Sequence, residues 1–213
     1  ADHVLASEAE DAVVAALARA HGIDAFCYYH YWFGGKRLLE APLDAVLATG
    51  APDFPFCVCW ANENWTRRWD GLEHELLIEQ RYGPDDARAF IRDLVPYLTD
   101  RRYVRVDGRP LLVIYNPRAI PDLAATVAVW RDTARGAGMG ELYLAAVSRH
   151  AQDDPTAHGF DAAIEFPPIG HSAELVNVKR AITNPEFRGA IFDYGNLAAD
   201  DVNDGGHWAS LFD

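Results

Sequence analysis

The sequence holds 213 residues and 23.6 kDa, half of them hydrophobic, which suits one sizeable core and excludes a disordered or collagen-like chain. Nineteen Lys and Arg stand against 32 Asp and Glu, a formal charge of −13. That balance argues against binding a nucleic-acid backbone or an anionic membrane surface, since both recruit clustered cations. No apolar run approaches the ~20 residues of a membrane span, and no signal peptide opens the sequence, so a cytoplasmic location is the expectation.

The opening pattern is helical. Ser7-Glu8-Ala9-Glu10 reads as a capping box, Val13, Val14 and Leu17 share a face, and Gly22 is the stop. Ile23 to Tyr31 is a near-continuous apolar run, as expected of a strand buried on both faces. A helix is expected over about Arg37 to Ala48, and a second buried strand over Phe56–Trp60. A long polar and aromatic loop follows. Pro84-Asp85-Asp86 then starts a helix with Phe90, Ile91, Leu94, Val95 and Leu98 inward.

Asp107-Gly108 is a turn signal before a strand at Leu111 to Tyr115. Asp122 and Leu123 open a helix with Val127, Trp130 and Ala134 on one side, closed by Gly136 and Gly138. Leu142 to Val147 and Ala162 to Phe166 are two more strand candidates, and residues from about 172 to 213 read as a less regular segment.

Strands alternating with helices imply a parallel sheet with crossover connections. An open doubly wound sheet and a (β/α)8 TIM-like barrel both fit, and no Gly-rich phosphate fingerprint follows any strand. Instead, polar and aromatic residues follow the strands: His30, Tyr31 and Trp32; Asn62, Glu63 and Asn64; Tyr115 and Asn116; Ser148, Arg149 and His150; and Glu165. Chemistry gathered at the C-terminal ends of successive strands is where a barrel builds its active face. About five strands are recognisable where a barrel needs eight. The expectation is a single incomplete α/β barrel domain over residues 1–213.

Cys59 to Gly71 contains Trp60, Trp65 and Trp69 among Asn62, Glu63, Asn64, Arg67, Arg68 and Asp70. Indole faces pack on the C–H faces of sugar rings while amides, carboxylates and guanidinium groups bond hydroxyls, so the mixture suits a glycan. The alternative is that the indoles pack the loop and the charges form solvated pairs. Glycoside chemistry commonly needs two carboxyl groups. Glu63 and Glu165, each at a strand end, are the candidate catalytic pair. Candidate substrate contacts are His30, Tyr31, Trp32, Trp60, Asn62, Asn64, Trp65, Arg67, Arg68, Trp69, Asp70 and Tyr115. His30 is equally readable as a satisfied core histidine.

No metal ligand set and no cofactor are expected. His150, His158 and His171 lack ligand spacing, and the alternation along Cys57-Val58-Cys59 is read as sending its two thiols to opposite faces. Cys27, Cys57 and Cys59 are expected as buried small hydrophobes, in keeping with a reducing compartment.

Gly22-Ile-Asp-Ala-Phe-Cys-Tyr-Tyr-His-Tyr-Trp-Phe33, the Cys59–Gly71 stretch, Arg109-Pro-Leu-Leu-Val-Ile-Tyr115 and Glu165-Phe-Pro-Pro168 together resemble the WbsX-type glycosyltransferase family, which is itself similar to glycoside hydrolase family 99. The resemblance implies a (β/α) barrel acting on sugars in O-antigen or related surface-polysaccharide pathways. It also implies further polysaccharide-synthesis domains in the same natural chain. The catalytic glutamate stretch of family 99 has no counterpart in these residues, so the resemblance transfers no catalytic role. Three functions remain open: a hydrolase-like enzyme, with α-mannosides as candidate substrates; a glycosyltransferase; and a glycan-binding module without catalysis.

Overall fold

A computed structural model gives the fold of residues 12–67, 72–148 and 155–165, with backbone alone described at 72–74, 148, 155 and 165. The chain divides into two compact units, one of them containing residues 12–63, 80–147 and 155–164, the other residues 64–67, 72–79, 148 and 165.

In the first unit, β1 (Phe26–Phe33), β3 (Phe56–Trp60), β7 (Arg109–Ile114), β8 (Tyr143–Ser148) and β9 (Ala162–Glu165) lie side by side in chain order. The first four are parallel. Among the described residues each of these strands adds next to its predecessor, so their order does not reverse. Closure into a barrel is not seen among the described residues. Two hairpins decorate this sheet. β2 (Lys36–Leu38) folds back on β1, and β6 (Arg105–Val106) folds onto β7.

Both hairpins turn where the backbone enters the left-handed region. Gly34 and Gly35 have φ of 56° and 93°, Asp107 and Gly108 of 51° and 76°, the signature of tight turns matched to strand twist. The first one corrects the sequence reading. Lys36 to Leu38 is strand, and α2 (Ala41–Thr49) begins only after Leu39, also at positive φ.

The remaining helices are α1 (residues 12–20), α3 (Pro84–Leu98) and α4 (Leu123–Gly136). On α1 the expected stripe is not the buried one. Val13, Val14 and Leu17 are exposed, while Ala15 and Ala18 sit with Phe26 and Phe54. Ser7 to Glu10 lie outside the described residues. On α3, Phe90, Ile91, Leu94 and Leu98 are fully buried, as the spacing predicts. The Asp122 carboxylate caps α4 by accepting from the Ala125 N–H at 3.2 Å, and Val127, Trp130 and Ala134 face inward.

Strand parity divides the sheet. Tyr28, His30 and Trp32, Phe56, Val58 and Trp60, Leu112 and Ile114, and Leu144 and Ala146 lie on the face covered by α3 and α4. There Trp60 stacks 4.4 Å from Phe90 and 6.0 Å from Trp130. Cys27, Tyr29 and Tyr31, Cys57 and Cys59, Val113, and Ala145 lie on the other. Cys57 and Cys59 thus share a face, contrary to expectation, because side chains two residues apart on a strand point the same way. The register sets Cys27 opposite Cys57 and Tyr29 opposite Cys59.

Asp161 ties β7, β8 and α4 together. Its carboxylate accepts from Arg109 at 2.7 Å, from Arg131 at 2.9 Å and from the Leu144 N–H at 2.9 Å. Burial pushes this carboxyl upward, but the backbone and guanidinium bonds outweigh it and leave it below the ordinary carboxylate range.

The second unit is described chiefly by an antiparallel hairpin of β4 (Trp65–Arg67) and β5 (Leu72–Ile78), with register shifts on both sides of Thr66. The sequence reading gave this stretch as loop. β4 has only three residues, and β5 carries Leu76, Leu77 and Ile78 in a row, so neither shows a clean alternation.

Candidate functional site

Two loops leave the C-terminal ends of β3 and β7 and are joined by one side chain. Asn62, fully buried, donates from its amide nitrogen to the Asn116 carbonyl at 2.7 Å and to the Tyr82 hydroxyl at 3.3 Å. Its amide oxygen accepts the Asn116 N–H at 2.7 Å, and Tyr82 donates its hydroxyl proton to the Asn62 carbonyl at 2.8 Å. Every polar atom of this amide is thereby used. Burial raises the Tyr82 hydroxyl above its ordinary value although the Asn62 bond opposes it.

The clasp fixes Asn116, and the Asn116 amide in turn donates to the Glu63 carboxylate at 3.2 Å. Glu63 is half-buried in the bend three residues past β3, its carboxylate held by the Asn116 amide. Asn62 is therefore a positioning residue for this carboxylate.

Beside these loops, the sheet face opposite α3 and α4 carries aromatic rings. Tyr29 lies 6.1 Å from Tyr31 and 5.9 Å from Tyr115, edge-on to the latter. Tyr31 and Tyr115 are half-buried, whereas Tyr29 is 42% exposed. Burial followed by the neighbouring thiol and phenol groups pushes the Tyr29 hydroxyl up to about 12, and burial likewise raises Tyr31. Tyr29 and Tyr31 are therefore neutral hydrogen-bonding phenols near pH 7. Tyr29 was missed by the sequence reading, yet parity from Tyr31 places it on the same face.

Other expected contacts lie elsewhere. Trp60 is core, its indole N–H donating to the Trp32 carbonyl at 3.2 Å. Trp32 is also buried, donating from its indole to Asp86 at 2.8 Å; burial raises that carboxyl despite the bond. His30 is buried under α3 with Nε2 3.2 Å from Asp93. Arg37 links Asp93 at 3.5 Å to Asp44 at 2.6 Å, and Tyr97 donates to Asp44. His30 is thus a buried histidine beside Asp93, and Trp32 and Trp60 are buried in the core as well. Parity is the physical reason: all three residues fall on even positions that face the helices.

Within the second unit, Trp65 is half-buried, Asn64 is exposed, and Arg67 pairs with Glu75 at 3.0 Å. Arg68, Trp69 and Asp70 lie outside the described residues, and so does the side chain of Glu165, whose backbone ends β9. Among the described residues no group of three or more His, Cys, Asp or Glu is arranged to hold a metal ion. Also among them, no helix is long and apolar enough to cross a membrane.

A parallel α/β sheet with a clasped carboxylate and phenol rings at its strand ends defines the class: an α/β protein with its polar chemistry at the C-terminal edge. Residues 5–207 match the family model described as "Glycosyltransferase WbsX", and the chain belongs to that family. Two proteins named "Uncharacterized protein WxcX", from Xanthomonas campestris pv. campestris strains B100 and ATCC 33913, are each 45% identical over 186 residues. These alignments take in 87% of this chain and 27% of each relative, so the chain spans about a quarter of their length. A solved structure described as a "Glycoside hydrolase-like protein" superposes with a TM-score of 0.51 at 16% identity, over 79% of this chain and 52% of that one. At that identity the likeness is one of fold.

Proposed function

We propose that this chain is an arc of a (β/α)8 barrel in a carbohydrate-active protein of surface-polysaccharide metabolism. In this reading a glycan lies against Tyr29, Tyr31 and Tyr115, and Glu63 is the carboxyl group that meets its glycosidic bond. The observation that carries it is Glu63 in the loop just past the C-terminal end of β3, held 3.2 Å from the Asn116 amide by the buried Asn62 clasp. Strand order supports the barrel, because strands added one after another without reversal curve one way. The fold likeness to a glycoside hydrolase-like protein supports it as well.

The favoured chemistry is cleavage of a glycosidic bond, with α-mannosides as first candidates. Glu63 protonates the leaving oxygen or stabilises the developing positive charge at the sugar. A second reading, transfer from a nucleotide sugar, is favoured by the family's description over residues 5–207. The greater length of the relatives leaves room for further domains of polysaccharide synthesis in one chain.

Incubating the full-length protein with α-mannosides, with and without nucleotide sugars, separates the readings. Sugar release without a donor supports hydrolysis, and donor-dependent product supports transfer. Binding without turnover reduces the chain to a glycan-binding module. Glu63→Gln is expected to lower turnover by about 10²–10⁴-fold with folding unchanged. Unaltered turnover would remove Glu63 from the chemistry.

A further inference from the structure

Cations are outnumbered in this chain, 19 Lys and Arg against 32 Asp and Glu, so carboxylate partners are plentiful. Arg37, Arg102, Arg109, Arg131 and Arg135 each take one or more. Lys36 and Arg81, both exposed, take none among the described residues. Arg92 takes none either, but it stands on the exposed side of α3 in mid-helix.

Lys36 and Arg81 meet the same turn. The register sets Lys36 opposite Phe33 and Arg37 opposite Trp32, and residues paired across strands share a face. Arg37 is thereby sent toward α3, to Asp44 and Asp93. Lys36 is sent to the other face, at the end of the row made by Tyr29 and Tyr31. Arg81 approaches from the segment before α3. A Cβ at Gly34 would lie 3.4 Å from the Arg81 Cβ and 3.6 Å from its Cδ, so the stem of this side chain runs along the turn. Its neighbour Tyr82 is held by the Asn62 clasp. The acidic residues that follow, Asp85 and Asp86, are engaged with Arg88 and with the Trp32 indole. Lys36 lies two residues beyond Gly34, at most about 7 Å along the chain. Two exposed cations without carboxylates therefore flank one glycine turn at the C-terminal end of β1. In a barrel this end is the mouth, open to a ligand, and not the packed interior.

We propose that the β1–β2 turn is a subsite for an anionic group of the glycan, a sugar carboxylate or phosphate, with Lys36 and Arg81 as its cations. The proposal rests on the glycan-binding function proposed for the tyrosine face and adds the substrate class, an acidic saccharide. A guanidinium offers such an anion two parallel N–H donors, and an ammonium adds a compact point charge. The chain's overall charge of −13 disfavours acidic sugars elsewhere on its surface.

Calorimetry on the full-length protein tests this with tetragalacturonate and its neutral methyl ester, with mannose 1-phosphate and mannose, and with α-mannotetraose. At least one acidic sugar is expected to bind more tightly than its neutral counterpart, which identifies the anion. Lys36→Gln and Arg81→Gln are each expected to weaken that binding about tenfold, the loss of one charge-assisted hydrogen bond. Affinity for α-mannotetraose and the melting temperature should stay unchanged. Arg92→Gln makes the same change of charge and should leave every affinity as it is. An acidic preference that survives Lys36→Gln and Arg81→Gln, or that falls equally in Arg92→Gln, overturns the proposal. Acidic sugars bound no more tightly than neutral ones overturn it too, while binding of α-mannotetraose leaves the glycan site standing. Binding of none of the five overturns both.

Discussion

The two faces of the central sheet are similarly rich in aromatic and apolar residues, but they are built differently. On the face under α3 and α4, Trp60, Phe90 and Trp130 interlock, His30 Nε2 lies 3.2 Å from Asp93, and Trp32 donates to Asp86. On the other face, tyrosines and thiols line up beside the Asn62–Asn116–Glu63 clasp. The difference teaches that residue type does not assign an aromatic side chain to core or ligand here; position in the strand does. On these strands the tryptophans at even positions are core, and Tyr29, Tyr31 and Tyr115 at odd ones lie on the opposite face.

The sharpest way to break that comparison is Trp60→Ala. If Trp60 is core, emptying its place costs about 3–5 kcal/mol, read as a lowered denaturation midpoint. A stable variant with only weakened glycan binding would return Trp60 to the site. Asn62→Ala is expected to cost about 2–4 kcal/mol, at ~1–3 kcal/mol for each buried partner left unsatisfied, and to lower turnover by unfixing Glu63. Comparing kcat with denaturation midpoint for Asn62→Ala and Glu63→Gln separates positioning from chemistry, since only the first should move both.

Asp161→Asn should cost about 1–3 kcal/mol through its two guanidinium partners and the Leu144 N–H. Because the native carboxyl is held below its ordinary value, its contribution is present above the ordinary carboxylate range. It is lost as pH falls through the lowered native value. Melting curves across that acid range should therefore be flatter for the Asn variant. The smallest expected change is Tyr29→Ala, which should shift stability by only about 0.5 kcal/mol. Glycan affinity, read by calorimetry, should fall about tenfold. Unchanged affinity would remove the tyrosine face from the proposed function.

Much of this fold is readable from the chain. The apolar runs at Phe56–Trp60 and Leu111 to Tyr115, the Pro84 start of α3 and the Asp122 cap of α4 all act locally, and all appear where the pattern puts them. The β2 and β4–β5 strands were not readable. Lys36–Leu38 and Trp65–Arg67 are too short to show a period, and their pairing is set by turns and by partners elsewhere in the chain.

For the proposed site, the Asn-Glu-Asn placement after a strand is what singles out Glu63 in the sequence. What aims it, Asn62 bonding to Asn116 54 positions away, is a tertiary contact without a local signature. Sequence by itself determined the longer buried strands, the helices α3 and α4 and which residues follow the strands, because propensity, capping and periodicity act between near neighbours. Tertiary structure alone decided which rings are buried, which thiols meet and what holds the carboxylate. A strand buried on both faces reads as one apolar run until a helix covers one side of it.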